Sequence, residues 1–166
     1  MNSKGWILVF GVVAGGLALW MWLPRGGERL DPPEVLEERV LQGPTVEVQS
    51  KAAADMVRHG EQARPVVRRT LAEYRGNDPD VLMPLAQGAM KQRDWQSLPR
   101  LFELMEHPDP RVRGKAGAAA AVIMDADYGF RAEAPPDKRR EALLRIRLIH
   151  SNMLPELQRA YPEKKP

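Results

Sequence analysis

The tetrapeptide pattern Asp-Pro-x-Val occurs twice, at Asp78, Pro79 and Val81 and again 31 residues later at Asp109, Pro110 and Val112. That recurrence constrains the fold more than any other feature of the chain. Aspartate before the first helical position accepts backbone N–H groups that have no intrahelical partner, and proline at that position presets the first helical dihedral. Two such turns at a fixed spacing read as tight connectors between helices of a repeated unit, with each valine turned into the core. After the second turn comes an alanine-rich run, Ala116 and Ala118 to Ala121, which lets its helix approach neighbours closely on more than one side.

The punctuation around these turns is regular from Val46 onward. "VEVQSKAAADMVRHG" reads as a helix ended by Gly60, and "EQARPVVRRTLAEYRG" as a second ended by Gly76. A third follows Asp78, and a fifth follows Asp109. The fourth, "DWQSLPRLFELMEH", is expected to be capped by Asp94, with Leu98, Leu101, Phe102 and Met105 spaced for one buried face. Pro65 and Pro99 fall in first turns, where a missing N–H costs least. Pro84 sits deeper and is the least comfortable.

These residues resemble the HEAT-repeat family of bacterial proteins. "LPRLFELMEHPDPRVRGKAGAAAAV" is similar to its unit of outer helix, Asp-Pro turn, Val-Arg and alanine-rich inner helix. "RPVVRRTLAEYRGNDPDVLMPLAQGAM" resembles a second copy, with Leu82 where the arginine would stand. The likeness covers roughly residues 60 to 124. It implies stacked units that do not fold singly, with the helix from Val46 as a capping half-repeat. Arg113, beside its valine, can lie over the neighbouring turn and satisfy carbonyls in the next repeat. The tetratricopeptide repeat is the alternative resemblance, through Leu85, Ala86, Ala89, Leu98, Phe102, Met105 and Pro110, and it shares the α-solenoid architecture.

At the N-terminus "WILVFGVVAGGLALWMWLP" holds 18 uncharged residues from Trp6 to Leu23. As a helix these would span roughly 27 Å, close to the hydrocarbon thickness of a bilayer. Trp6, Trp20 and Trp22 stand where interfacial aromatics are expected, and Pro24 with Gly26 and Gly27 ends the segment. Bulky residues fill the positions a signal-peptide cleavage site would need small, so an uncleaved anchor is expected. Gly11 and Gly15 have the spacing of a membrane-helix contact. The flanking charges are nearly balanced, Lys4 and the terminal amine against Arg25 and Arg29, and the short N-terminal tail tilts the domain towards the periplasmic or external side of the cell membrane.

Chemistry is sparse. With no cysteine in 166 residues, disulfides, thiolate metal sites and cysteine nucleophiles are excluded. His59, His107 and His150 lie far apart, and His59 and His107 are expected to cap helix ends. Asp125-x-Asp127-x-Gly129 faintly echoes a calcium loop, but Glu133 falls too early to close one. Helix termination with Tyr128 and Phe130 tucked against the core is the better reading. Nothing recommends an enzyme, a cofactor or a metal. Charge is uneven: residues 131–166 carry 9 basic and 5 acidic side chains, concentrated in "KRREALLRIRLIH". This stretch reads as a closing helix with Arg139, Arg140, Arg145 and Arg147 outward, or as a contact with anionic lipid. It lacks the aromatic interleaving that single-stranded nucleic acid would favour.

The sequence therefore predicts an all-α chain in three parts. Residues 1–24 form a single-pass membrane anchor, 25–45 a linker with a short helix, and 46–166 a HEAT-like α-solenoid of about six helices. The expected role is a non-enzymatic scaffold, as an accessory or stabilising subunit of a membrane complex. A protein-binding adaptor and a lipid-contacting protein are the alternatives.

Overall fold

The computed structural model describes residues 30–160, and these are all-helical, with seven α-helices and two 3-10 turns. The helices are α1 (Pro33–Gln42), α2 (Val46–Arg58), α3 (Arg64–Glu73), α4 (Pro79–Lys91), α5 (Leu98–Leu104), α6 (Pro110–Ile123) and α7 (Pro136–Ala160). The expected anchor, with Gly11 and Gly15, lies outside the described residues. Among those residues no helix is long and apolar enough to cross a membrane.

Helix boundaries follow the local chemistry. Asp78 and Asp109 accept from the backbone N–H groups of Asp80 and Arg111, and Pro79 and Pro110 occupy the first helical positions. The two caps have nearly the same backbone, φ −75° and ψ 122° at Asp78 against −77° and 122° at Asp109. The repeated sequence thus makes a repeated joint. Pro84 is carried inside α4. The helix after Asp94 begins later than its sequence suggests. Trp95–Ser97 first tightens into a 3-10 turn, with the Ser97 hydroxyl donating to the Asp94 carboxylate at 2.6 Å, and α5 starts at Leu98.

Helices pair in order, α1 with α2, α3 with α4 and α5 with α6, and the three hairpins stack. Helices α2, α4 and α6 form one row, and α1 packs beside α3 in the other. Buried side chains from every hairpin merge into one core that includes Met56, Leu71, Leu85, Leu101 and Val112. Gly88 marks where three helices meet: a Cβ there would come within 2.9 Å of a Val57 methyl on α2 and 3.0 Å of a Val67 methyl on α3.

Helix α1 lies within the stretch read as a linker, yet Leu36 and Val40 are 2% and 0% exposed and belong to the core. Its partner α2, expected as a capping half-repeat, is therefore one arm of a complete hairpin. Gly43 makes the turn between them possible, because a Cβ at this position would lie 2.3 Å from the Arg39 carbonyl oxygen.

Polar groups bridge successive hairpins. Arg69 on α3 pairs with Glu37 on α1, and Arg68 pairs at 2.9 Å with Asp94, whose side chain is 3% exposed. Arg100 on α5 donates to the carbonyls of Leu71 and Tyr74, at 3.2 and 3.1 Å, closing the C-terminus of α3. The Gln92 amide donates to the Gly60 carbonyl at 2.7 Å, joining the ends of α4 and α2. Such links leave few buried polar atoms unsatisfied and fix how one hairpin sits on the next.

Candidate functional site

Helix α7 and the loop before it form the part of the described chain least committed to the core. The loop starts where Asp125 adopts a positive φ of 55° and ends at Pro136. It folds over the small-residue face of α6, with Phe130 packed so close to Gly117 that a Cβ there would fall 2.8 Å from the ring. Tyr128 and Phe130 are half-buried against the core, as the sequence suggests. Between α6, this loop and α7 lies a partly open cavity of about 280 Å³, lined by Gly114, Ala118, Ala121, Tyr128, Phe130 and Ile146 among others.

Arg113 holds the arrangement together. Its guanidinium, on a residue 8% exposed, donates to the carbonyls of His107 at 2.8 Å, Pro108 at 2.7 Å and Ala132 at 2.9 Å. Arg113 lies over the neighbouring Asp-Pro turn as expected, but its further reach is to the 126–132 loop and not to a following repeat. His107 also differs from expectation: its Nδ1 accepts from the Asp109 N–H at 3.0 Å, so it holds the turn rather than capping a carbonyl. His59 places Nε2 2.9 Å from the Asp31 carbonyl, bracing the start of α1.

Carboxylates in this region are engaged by arginines. The Arg111 guanidinium, with help from its own N–H, holds Asp109 below the usual carboxylate range. Arg131, followed by the Gly129 N–H, does the same for Asp127, which is how the calcium-like motif is used. Among the described residues no three His, Asp or Glu side chains stand together to hold a metal ion.

The four arginines singled out in the sequence separate into different roles. Arg139 is half-buried and donates to the Ala134 carbonyl at 2.6 Å, closing the loop. Arg147 pairs with Glu106 on α5 at 3.0 Å, and Arg145 reaches Glu141 one turn earlier at 3.4 Å. Arg140 is exposed, with no hydrogen bond or ion pair among the described residues. On the opposite side of α7, Ala142, Leu143 and Ile146 are buried, and the His150 ring stands edge-on to Phe102 with centroids 5.3 Å apart. Burial pushes the His150 pKa below the usual histidine value. What sequence reasoning missed is the outward face of α7, where Leu144 and Leu148 are 60% and 62% exposed. Their i, i+4 spacing was the available signal.

Comparison with protein-family models, curated proteins and solved structures finds no match to this chain.

Proposed function

We propose that this protein is a membrane-anchored scaffold whose helical stack, a short α-solenoid of the HEAT type, serves as an accessory or stabilising subunit of a membrane protein complex. The observation that carries this reading is the stack itself: three hairpins, the second and third turning at the repeated Asp-Pro caps, bridged by buried polar links. A stack braced in that way presents a fixed surface, which suits docking on one partner better than wrapping a long peptide. Residues Trp6 to Leu23 would hold that surface at the bilayer, with Gly11 and Gly15 at a contact with another membrane helix. The domain would face the periplasmic or external side. Tetratricopeptide-like stacking would serve the same role.

The test is purification of the C-terminally tagged chain from native membranes in mild detergent, with mass and composition read by gel filtration and mass spectrometry. The expected result is migration with a stoichiometric larger assembly. A lone monomer or homodimer would overturn stable membership of a complex.

A further inference from the structure

We propose that the outward face of α7 is a bilayer-contact surface, seating Leu144 and Leu148 in the interface of an anionic membrane with arginines on both sides at the headgroups. It deepens the anchored reading above by naming a second membrane contact on the folded domain.

The placement comes from the helix itself. At about 100° per residue, Leu144 and Leu148 share one stripe opposite the buried Ala142, Leu143 and Ile146. On the same count Arg140 and Arg147 flank that stripe on one side, and Lys138 and Arg145 on the other, while Asp137 and Glu141 lie on its N-terminal continuation, Glu141 paired with both Lys138 and Arg145. The side chains of Lys138, Arg145 and Arg147 are 66%, 56% and 43% exposed. Across Pro136–Ala160 there are 6 Lys and Arg residues against 3 Asp and Glu, a net of +3. Two exposed leucines with basic flanks, on a helix whose basic side chains outnumber its acidic ones, match an interface of acyl chains beneath phosphates, where long cationic side chains extend sideways to the headgroups.

The other occupants fit less well. A second copy placed face to face would bring like-charged flanks together. A partner protein would need about 800 Å² of complementary surface, and the apolar part of this face is two exposed leucines. The existing ion pairs do not hold the arginines back. Arg145 and Glu141 lie 3.4 Å apart in solvent, and Arg147 and Glu106 are both exposed, so exchanging those carboxylates for lipid phosphates costs little. The transmembrane anchor proposed above would already retain the chain, so this weaker surface contact would serve to orient the domain and not to hold it at the bilayer.

The absence of native cysteine makes the test direct. The full chain carrying Leu148→Cys, labelled with an environment-sensitive fluorophore, is mixed with vesicles of phosphatidylcholine alone or containing phosphatidylglycerol. Flotation reports attachment of the chain, and the emission shift with quenching by brominated lipid reports where residue 148 sits. A label at Ala72→Cys on the exposed side of α3 is the control. Expected are a blue shift and bromine quenching at residue 148 in anionic vesicles only, and none at residue 72. Reversing charge at Arg140 and Arg145 should weaken binding to anionic vesicles by about 25-fold or more, since each basic residue near such a surface contributes about fivefold. A circular-dichroism melt coincident with the parent chain would show that the reversal leaves the fold intact. Flotation with an aqueous label in both vesicle types would overturn the inference while leaving the anchor standing. Failure to float on phosphatidylcholine with a shifted, quenched label on anionic vesicles would support the inference and remove the anchor. A shift that grows with protein concentration without lipid would assign the face to a second copy and refute the bilayer.

Discussion

Arg113 is the residue whose loss should be felt most widely for its size. It sits in the second Asp-Pro unit and donates to three carbonyls, two in the turn before its helix and one in the loop after it. Replacing it with methionine keeps much of the stem and removes every donor. A hydrogen bond from a charged group is worth about 1.5–3 kcal/mol, and a buried acceptor left without a partner costs about 1–3 kcal/mol. The three do not add in full, because Pro108 and Ala132 are only partly buried around the contact and water can reach their carbonyls. A loss of about 3 kcal/mol is therefore expected, with His107 supplying the largest part. In a folded unit of this size that corresponds to a melting point lower by about 10–15 °C. Urea unfolding of the full chain in detergent, followed by far-ultraviolet circular dichroism, measures it. Arg113→Lys should recover less than half, since an ammonium cannot address three carbonyls in the geometry of a planar fork. A methionine variant within about 1 kcal/mol of the parent would refute the clasp.

Four further outcomes follow from the packing. Gly88→Ala should lower stability by up to about 2 kcal/mol, because overpacking against Val57 and Val67 at about 1–3 kcal/mol exceeds a helix-propensity gain of about 0.8–1 kcal/mol. Gly114→Ala, whose added methyl meets only Ala132 Cβ at 3.7 Å, should gain about 0.5–1 kcal/mol, and equal melting shifts in the two variants would sink the argument. A chain starting at Asp31 should keep the cooperative melt, and one starting at Pro44 should lose most of it, because Leu36 and Val40 each contribute about 1.5–3 kcal/mol by burial; similar melts for both would place α1 outside the folded unit. Burial lowers the His150 pKa in the folded chain, so the unfolded chain binds more protons below about pH 6.5 and stability should fall as pH drops through that window. His150→Phe should flatten that part of the pH profile, and an unchanged slope would assign it to other groups.

Much of the fold was legible because it rests on local chemistry. Asp78 and Asp109 cap as their sequence says, to within 2° of each other in φ, since Asp-Pro needs no tertiary help to start a helix. Helix α1 was harder to place. Its apolar positions divide among buried Leu36 and Val40, half-buried Leu41 and exposed Val35, and its acidic residues read as a solvated face until Arg69 is seen to meet Glu37 across 32 residues. The candidate site was legible in composition and not in geometry. Four arginines could be picked out from the run, but the Ala134 carbonyl holding Arg139 and the Glu106 carboxylate holding Arg147 are facts of tertiary structure. Arg140 has no partner among the described residues for the same reason: its direction on α7 is set by where Ala142, Leu143 and Ile146 bury.

That contrast bears on how the molecule divides its tasks. From α1 to α6 the joints carry polar links with a buried or half-buried partner, Glu37 with Arg69, Asp94 with Arg68, Gln92 with Gly60 and Arg113 with the 126–132 loop. A side chain such as Asp94, 3% exposed, can be satisfied only if the next hairpin sits in one position, so these links specify the stack as much as they stabilise it. Helix α7 is joined differently. It contributes three buried residues in a length of 25, and its ion pair to the stack, Arg147 with Glu106, is open to solvent. Exposed pairs of that kind contribute about 0–1 kcal/mol and exchange partners readily. An element held by a short apolar stripe, with aliphatic and cationic side chains on its free side, can bind something else without disturbing the hairpins behind it. Under the proposed function, the braced stack and the lightly held terminal helix would be complementary parts, the first fixing a surface in space and the second available to orient it.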